Sequence, residues 1–106
     1  MKKYPVTYKG ELYEVRWETL GWFPIITIYK ETTSRFLKRK IYKKIYVEYE
    51  SIIDKHITIS RNDPNYHIEQ VKTIFKLFEQ ETEAKIKSDL SKQKQQQALA
   101  EWDGII

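Results

Sequence analysis

The chain has 106 residues, 41% hydrophobic and 32% charged, with a formal net charge of +4. That length and balance suit one globular domain with a modest core and exclude disorder throughout. The absence of cysteine excludes disulfides, thiolate metal sites and cysteine nucleophiles.

No run approaches the ~18 apolar residues of a membrane span. Met1, Lys2 and Lys3 supply the charge of a signal peptide, but no apolar stretch follows them. A cytoplasmic protein without a membrane partner is the expectation.

Tyr4 to Tyr8 reads as a first strand, with Val6 inward and Pro5 marking a sheet edge. Lys9-Gly10-Glu11 is a tight turn. Leu12 to Glu18 then alternates. Leu12, Glu14, Arg16 and Glu18 share one face, and Tyr13, Val15 and Trp17 share the other, which is expected to be buried. Thr19-Leu20-Gly21 turns the chain into a third strand from Trp22 to Tyr29. Trp17, Trp22 and Phe23 flank this turn, either as the sheet's aromatic core or as an exposed contact surface. Lys30 to Ser34 reads as a polar, mobile connection.

Phe36 to Tyr49 supports two readings in its first half, a strand or an irregular turn, and is a strand from Ile41 onward. As one regular strand it places Leu37, Arg39, Ile41, Lys43, Ile45, Val47 and Tyr49 on one face. Phe36, Lys38, Lys40, Tyr42, Lys44, Tyr46 and Glu48 fall on the other. Lys55 to Ser60 alternates, with Ile57 and Ile59 inward, as a fifth strand or a tail of the fourth. The expected sheet core is Val6, Val15, Trp17, Ile26, Ile28, Ile45, Val47, Ile57 and Ile59.

Asp63-Pro64 opens a helix, because a short acidic side chain can cap free N–H groups and proline lacks one to satisfy. Ile68, Val71, Phe75, Phe78, Thr82 and Ile86 follow at helical spacing, widened by Ile74. Large apolar residues crowd the half from Ile68 to Phe78, and only Ile86 and Leu90 follow before Gln97. The helix therefore either projects or breaks near Ser88 to Ser91. Layer packing gives an α+β fold. An antiparallel sheet of four to five strands (residues 4–60) is covered on one face by a long C-terminal helix (63–92) in a single domain, 1–92. Residues 93–106 form a polar helical extension with an apolar tip: Leu99, Trp102, Ile105 and Ile106.

Arg35, Lys38, Arg39, Lys40, Lys43 and Lys44 fall within ten residues that contain no acid. Ammonium and guanidinium groups neutralise phosphates, and tyrosine rings stack on unpaired bases. Lys38, Arg39, Lys40, Lys43 and Lys44, with Tyr42 and Tyr46 as stacking candidates, form a candidate nucleic-acid surface. The alternatives are a lysine-protected sheet edge or a contact for an acidic protein. Leu99, Trp102, Ile105 and Ile106 form a candidate surface for a protein partner or for self-association through the C-terminal helix.

His56 and His67 match no metal-ligand spacing, and no serine stands in a nucleophile elbow. The glycines at 10, 21 and 104 form no phosphate loop. A non-enzymatic protein without metal or cofactor is expected.

Tyr8-Lys-Gly-Glu-Leu-Tyr-Glu-Val-Arg-Trp17 and the tryptophan turn behind it resemble small accessory proteins of phages and integrative elements of AT-rich Gram-positive bacteria. The surplus of lysine, isoleucine and tyrosine agrees with such a source. The resemblance spans about the first thirty residues and carries no catalytic motif. It implies a short accessory protein that binds DNA, replication machinery, or a host or defence protein.

Overall fold

The computed structural model describes residues 3–36 and 38–105. Leu37 and Ile106, assigned above to a strand face and to the apolar tip, lie outside the described residues. The fold is α+β: a four-stranded antiparallel sheet with a long C-terminal helix. β1 (Lys3–Tyr8), β2 (Glu11–Leu20), β3 (Phe23–Thr33) and β4 (Lys40–Tyr49) lie side by side in chain order, a meander. α1 (Glu50–Asp54) and α2 (Tyr66–Glu101) follow. The chain divides into two compact units, residues 1–74 and 75–106.

Turn chemistry fixes the registers. Lys9 (φ 50°) and Gly10 (φ 78°) both lie in the left-handed region, as a type I′ hairpin requires. Gly21 (φ 62°) is the first central residue of the next turn, where a type II′ geometry favours glycine. Pro5 sits on β1, at one edge of the sheet, where a missing N–H costs least. Val15 pairs with Ile28, and Trp17 with Ile26. The Trp17 face therefore carries Tyr4, Val6, Tyr13, Val15, Trp17, Ile26 and Ile28, and the opposite face carries Glu14, Arg16, Glu18 and Tyr29.

Within residues 1–74, Val15, Ile26, Ile28, Ile53 and Ile74 are fully buried. Gln70 is buried among them, and its amide is saturated. Its oxygen accepts from the Trp17 indole N–H at 3.0 Å and lies 3.0 Å from His67 Nδ1. Its nitrogen donates to Glu50 at 3.2 Å and Asp54 at 3.1 Å. Carboxylates only accept, which fixes the amide's orientation and makes His67 Nδ1 a donor. This junction ties α1 and the first turns of α2 to the Trp17 face.

The structure departs from the sequence reading in several places. β3 continues through Lys30 to Thr33, because Thr32 and Thr33 pair with Ile41 and Lys40. No fifth strand forms at 55–60. The chain after β4 turns at once into α1, which buries Ile53 against β3 and β4, and leaves Ile57 and Ile59 half-buried in a turn. α2 begins at Tyr66. Asp63 accepts from the Asn65 N–H through its side chain at 2.8 Å, and Pro64 lies in the preceding turn. The buried residues of α2 are Tyr66, Gln70, Ile74 and Phe75, and Ile68 is 51% exposed. The stripe is rotated from the apolar count because a fully bonded glutamine occupies its centre. The helix does not break at Ser88 to Ser91.

In residues 75–106, Phe75 is buried and Phe78 half-buried. Every described side chain from Gln80 onward is exposed, including Ile86, Leu90, Leu99, Trp102 and Ile105. No helix among the described residues is long and apolar enough to cross a membrane.

Candidate functional site

The basic segment is split by one extra residue. Ile28 pairs with Tyr46 while Tyr29 pairs with Lys44, so Ile45 is a β-bulge. A bulge breaks the period-2 alternation. Lys40, Tyr42 and Lys44 project from the Arg16 face, whereas Lys43 and Tyr46 belong to the Trp17 face. The expectation that Tyr42 and Tyr46 share one face with Lys40 and Lys44 therefore holds for Tyr42 and fails for Tyr46. Val47, expected in the core, lies on the Arg16 face and is exposed.

Lys38 and Arg39 are not on a strand. They belong to the β3–β4 turn, closed by the Ser34 N–H on the Arg39 carbonyl (3.0 Å) and the Lys38 N–H on the Ser34 carbonyl (2.9 Å). Lys38 has φ 47° there. Phe36, which the sequence reading did not single out, stands in this turn between Arg35 and Lys38 and is 98% exposed. Its signal was available: a large aromatic flanked by cations with no apolar periodicity around it.

The Arg16 face carries a self-contained network. Arg16 Nε donates to Glu14 at 2.7 Å, and its guanidinium lies over the Tyr29 ring at 4.0 Å and the Tyr42 ring at 5.2 Å. Tyr29 donates its hydroxyl to Glu18 at 3.0 Å. Lys40 pairs with Glu31 at 3.1 Å. The hydrogen bond that Arg16 donates to Glu14 raises the Arg16 pKa, and burial followed by the Glu18 carboxylate raises that of Tyr29. Glu31 likewise raises Lys40. Tyr42 is therefore engaged with Arg16, and Lys40 is paired with an acid.

Arg35, Lys38, Arg39, Lys43 and Lys44 are exposed and have no carboxylate partner among the described residues. Arg35, Lys38 and Arg39 share the β3–β4 turn with Phe36, and Lys43 and Lys44 lie on opposite faces of the adjoining part of β4. Among the described residues no three His, Cys, Asp or Glu side chains are grouped to hold a metal ion.

The other end of the sheet is apolar. Trp22, in the β2–β3 turn, is 97% exposed, and Leu20 and Phe23 beside it are exposed as well. Phe23 meets Tyr49 edge-on with ring centroids 5.9 Å apart. Of the aromatics flanking this turn only Trp17 contributes to the packed face, while Trp22 and Phe23 face solvent. Leu99, Trp102 and Ile105 also stand in solvent, at the end of α2 and just beyond it.

An antiparallel meander followed by a long helix defines the class as a small α+β domain. Comparison with protein-family models, with curated proteins and with solved structures gave no match.

Proposed function

We propose that this chain is a non-enzymatic accessory protein that contacts nucleic acid through the basic end of its sheet. One observation carries the reading. Arg35, Lys38 and Arg39 share the β3–β4 turn with the exposed Phe36, and Lys43 and Lys44 follow on β4, all five unneutralised by any carboxylate among the described residues. Cations of this kind bind phosphates and release counterions, and an exposed ring offers a base a stacking surface. Phe36 takes the stacking role first assigned to Tyr42 and Tyr46. The likeness of Tyr8 to Trp17 to phage and mobile-element accessory proteins fits this role and a cytoplasmic setting.

The test is fluorescence anisotropy of labelled single- and double-stranded oligonucleotides. Lys38→Glu/Arg39→Glu/Lys44→Glu should weaken binding by at least tenfold, and Phe36→Ala should weaken single-stranded binding more than double-stranded. Equal affinities for wild type and the triple variant contradict the proposal.

A second reading, a protein-interaction module acting through the C-terminal helix, is favoured by the exposure of Leu99, Trp102 and Ile105. It predicts partner capture that resists salt and is lost in Trp102→Glu.

A further inference from the structure

The end of the Arg16 face opposite the basic turn has no part in phosphate binding, and its composition is unusual for an exposed sheet surface. Leu20 and Phe23 are cross-strand partners flanking the type II′ turn. Tyr49 pairs with Ile25, and Val47 with Thr27, so all four side chains lie on one face. Leu20, Phe23, Val47 and Tyr49 are exposed, and Trp22 stands at their border. Ile25 is buried beneath them. With aromatic side chains of about 150–250 Å² each, the patch exposes roughly 600 Å², the upper end of what a monomer ordinarily leaves bare.

We infer that this patch is the interface of a two-fold homodimer, in which the Arg16 faces of two copies pack against each other. Two features select a second copy. Two such patches together bury about 1,200 Å², the lower bound of a specific interface. A two-fold axis lets one apolar patch satisfy itself, with the rings of Phe23 and Tyr49 meeting their counterparts. On the same face Arg16 is paired with Glu14 and Lys40 with Glu31, while Lys44, beside Val47, has no carboxylate partner among the described residues. Association by strand addition is the disfavoured route. Pro5 interrupts the β1 edge, and the Ile45 bulge with its lysines interrupts the β4 edge.

The dimer is independent of the nucleic-acid reading, and its test uses no oligonucleotide. Sedimentation velocity of the full chain, from about 1 to 200 µM, should show a species of twice the chain mass. Tryptophan emission should shift to the blue over the same range as Trp22 leaves water. Phe23→Glu and Tyr49→Glu should each raise the dissociation constant at least tenfold with unchanged circular dichroism. Trp22→Ala alters a residue 97% exposed, and it should weaken the dimer without affecting the fold. Trp102→Glu should leave the dimer intact. A chain that stays monomeric across the range overturns the inference. So does a dimer abolished by Trp102→Glu and indifferent to Phe23→Glu, or a monomer that captures a different protein through Phe23.

Discussion

Gln70 is the residue on which the sheet, α1 and α2 converge, and its four polar partners explain why a glutamine is tolerated at the centre of a packed face. Its loss leaves the Trp17 indole N–H and the carboxylates of Glu50 and Asp54 without their partner. Unsatisfied buried polar groups cost about 1–3 kcal/mol each, so Gln70→Ala should lower stability by about 2–4 kcal/mol in urea unfolding. Gln70→Glu places a third carboxylate beside Glu50 and Asp54. Its stability should recover as pH falls towards about 4 and the new group takes up a proton. A pH-independent Gln70→Glu variant would show that the amide does not face those acids.

Tyr66, beside this junction, is buried, and its hydroxyl has no hydrogen-bond partner of good geometry. Burial, reinforced by the Asp54 carboxylate, pushes its pKa up to about 12. The folded state holds this proton more tightly than the unfolded chain does. The stabilisation is complete below pH ~10 and is lost as pH rises from about 10 to 12, about 2–3 kcal/mol in all. Tyr66→Phe should flatten that alkaline loss and leave neutral-pH stability equal or improved. A variant that loses stability at neutral pH would reveal a hydroxyl contact.

At the scale of elements, legibility followed periodicity. β1 and β2 were readable because regular alternation puts Val15 and Trp17 on one face and Glu14, Arg16 and Glu18 on the other. β4 was readable as a strand but not as two half-strands, since nothing in Lys44-Ile45-Tyr46 announces the bulge that reverses which side chains face together. Ile57 and Ile59 alternate like a strand, yet a segment needs an edge to pair with, and α1 uses the intervening chain to bury Ile53. The helix was legible as a helix, but its buried side was not. Hydrophobic counting favoured Ile68 over Gln70, because it cannot see hydrogen bonds supplied from 16 to 53 positions away. The exposure of Trp22 was one of two readings that sequence left open.

α2 supplies the prediction proper to this scale. Phe75 is buried and Phe78 only half-buried. Phe75→Ala should cost about 3–5 kcal/mol, a large part of the ~5–15 kcal/mol available to a domain, and Phe78→Ala distinctly less. Equal costs in thermal or urea unfolding would contradict the burial described for this segment. In the exposed remainder of α2, Leu90→Lys should change stability by no more than about 0.5 kcal/mol.

At the scale of the whole molecule, the sheet is polar in the sense of having two unlike ends. The β3–β4 turn holds Arg35, Lys38 and Arg39 with the exposed Phe36, and the β2–β3 turn holds Leu20, Trp22 and Phe23 beside Tyr49. An antiparallel meander produces this separation directly, because successive turns fall at opposite ends of the sheet. The acids that would cancel the basic end are used elsewhere: Glu31 holds Lys40, Glu14 holds Arg16, and Glu11 holds Lys30 at 2.7 Å. The excess charge is thereby concentrated where five cations remain unpaired among the described residues.

The most direct test of that account is the salt dependence of oligonucleotide binding. For contacts by Arg35, Lys38, Arg39, Lys43 and Lys44, the logarithm of the association constant should fall with the logarithm of salt concentration. The expected slope is about −3 to −4 for single strands. Each charge removed from the turn should reduce its magnitude by about 0.7. A slope near zero, or one unchanged when Lys38 and Arg39 become glutamate, would contradict a phosphate-binding role for this end of the sheet.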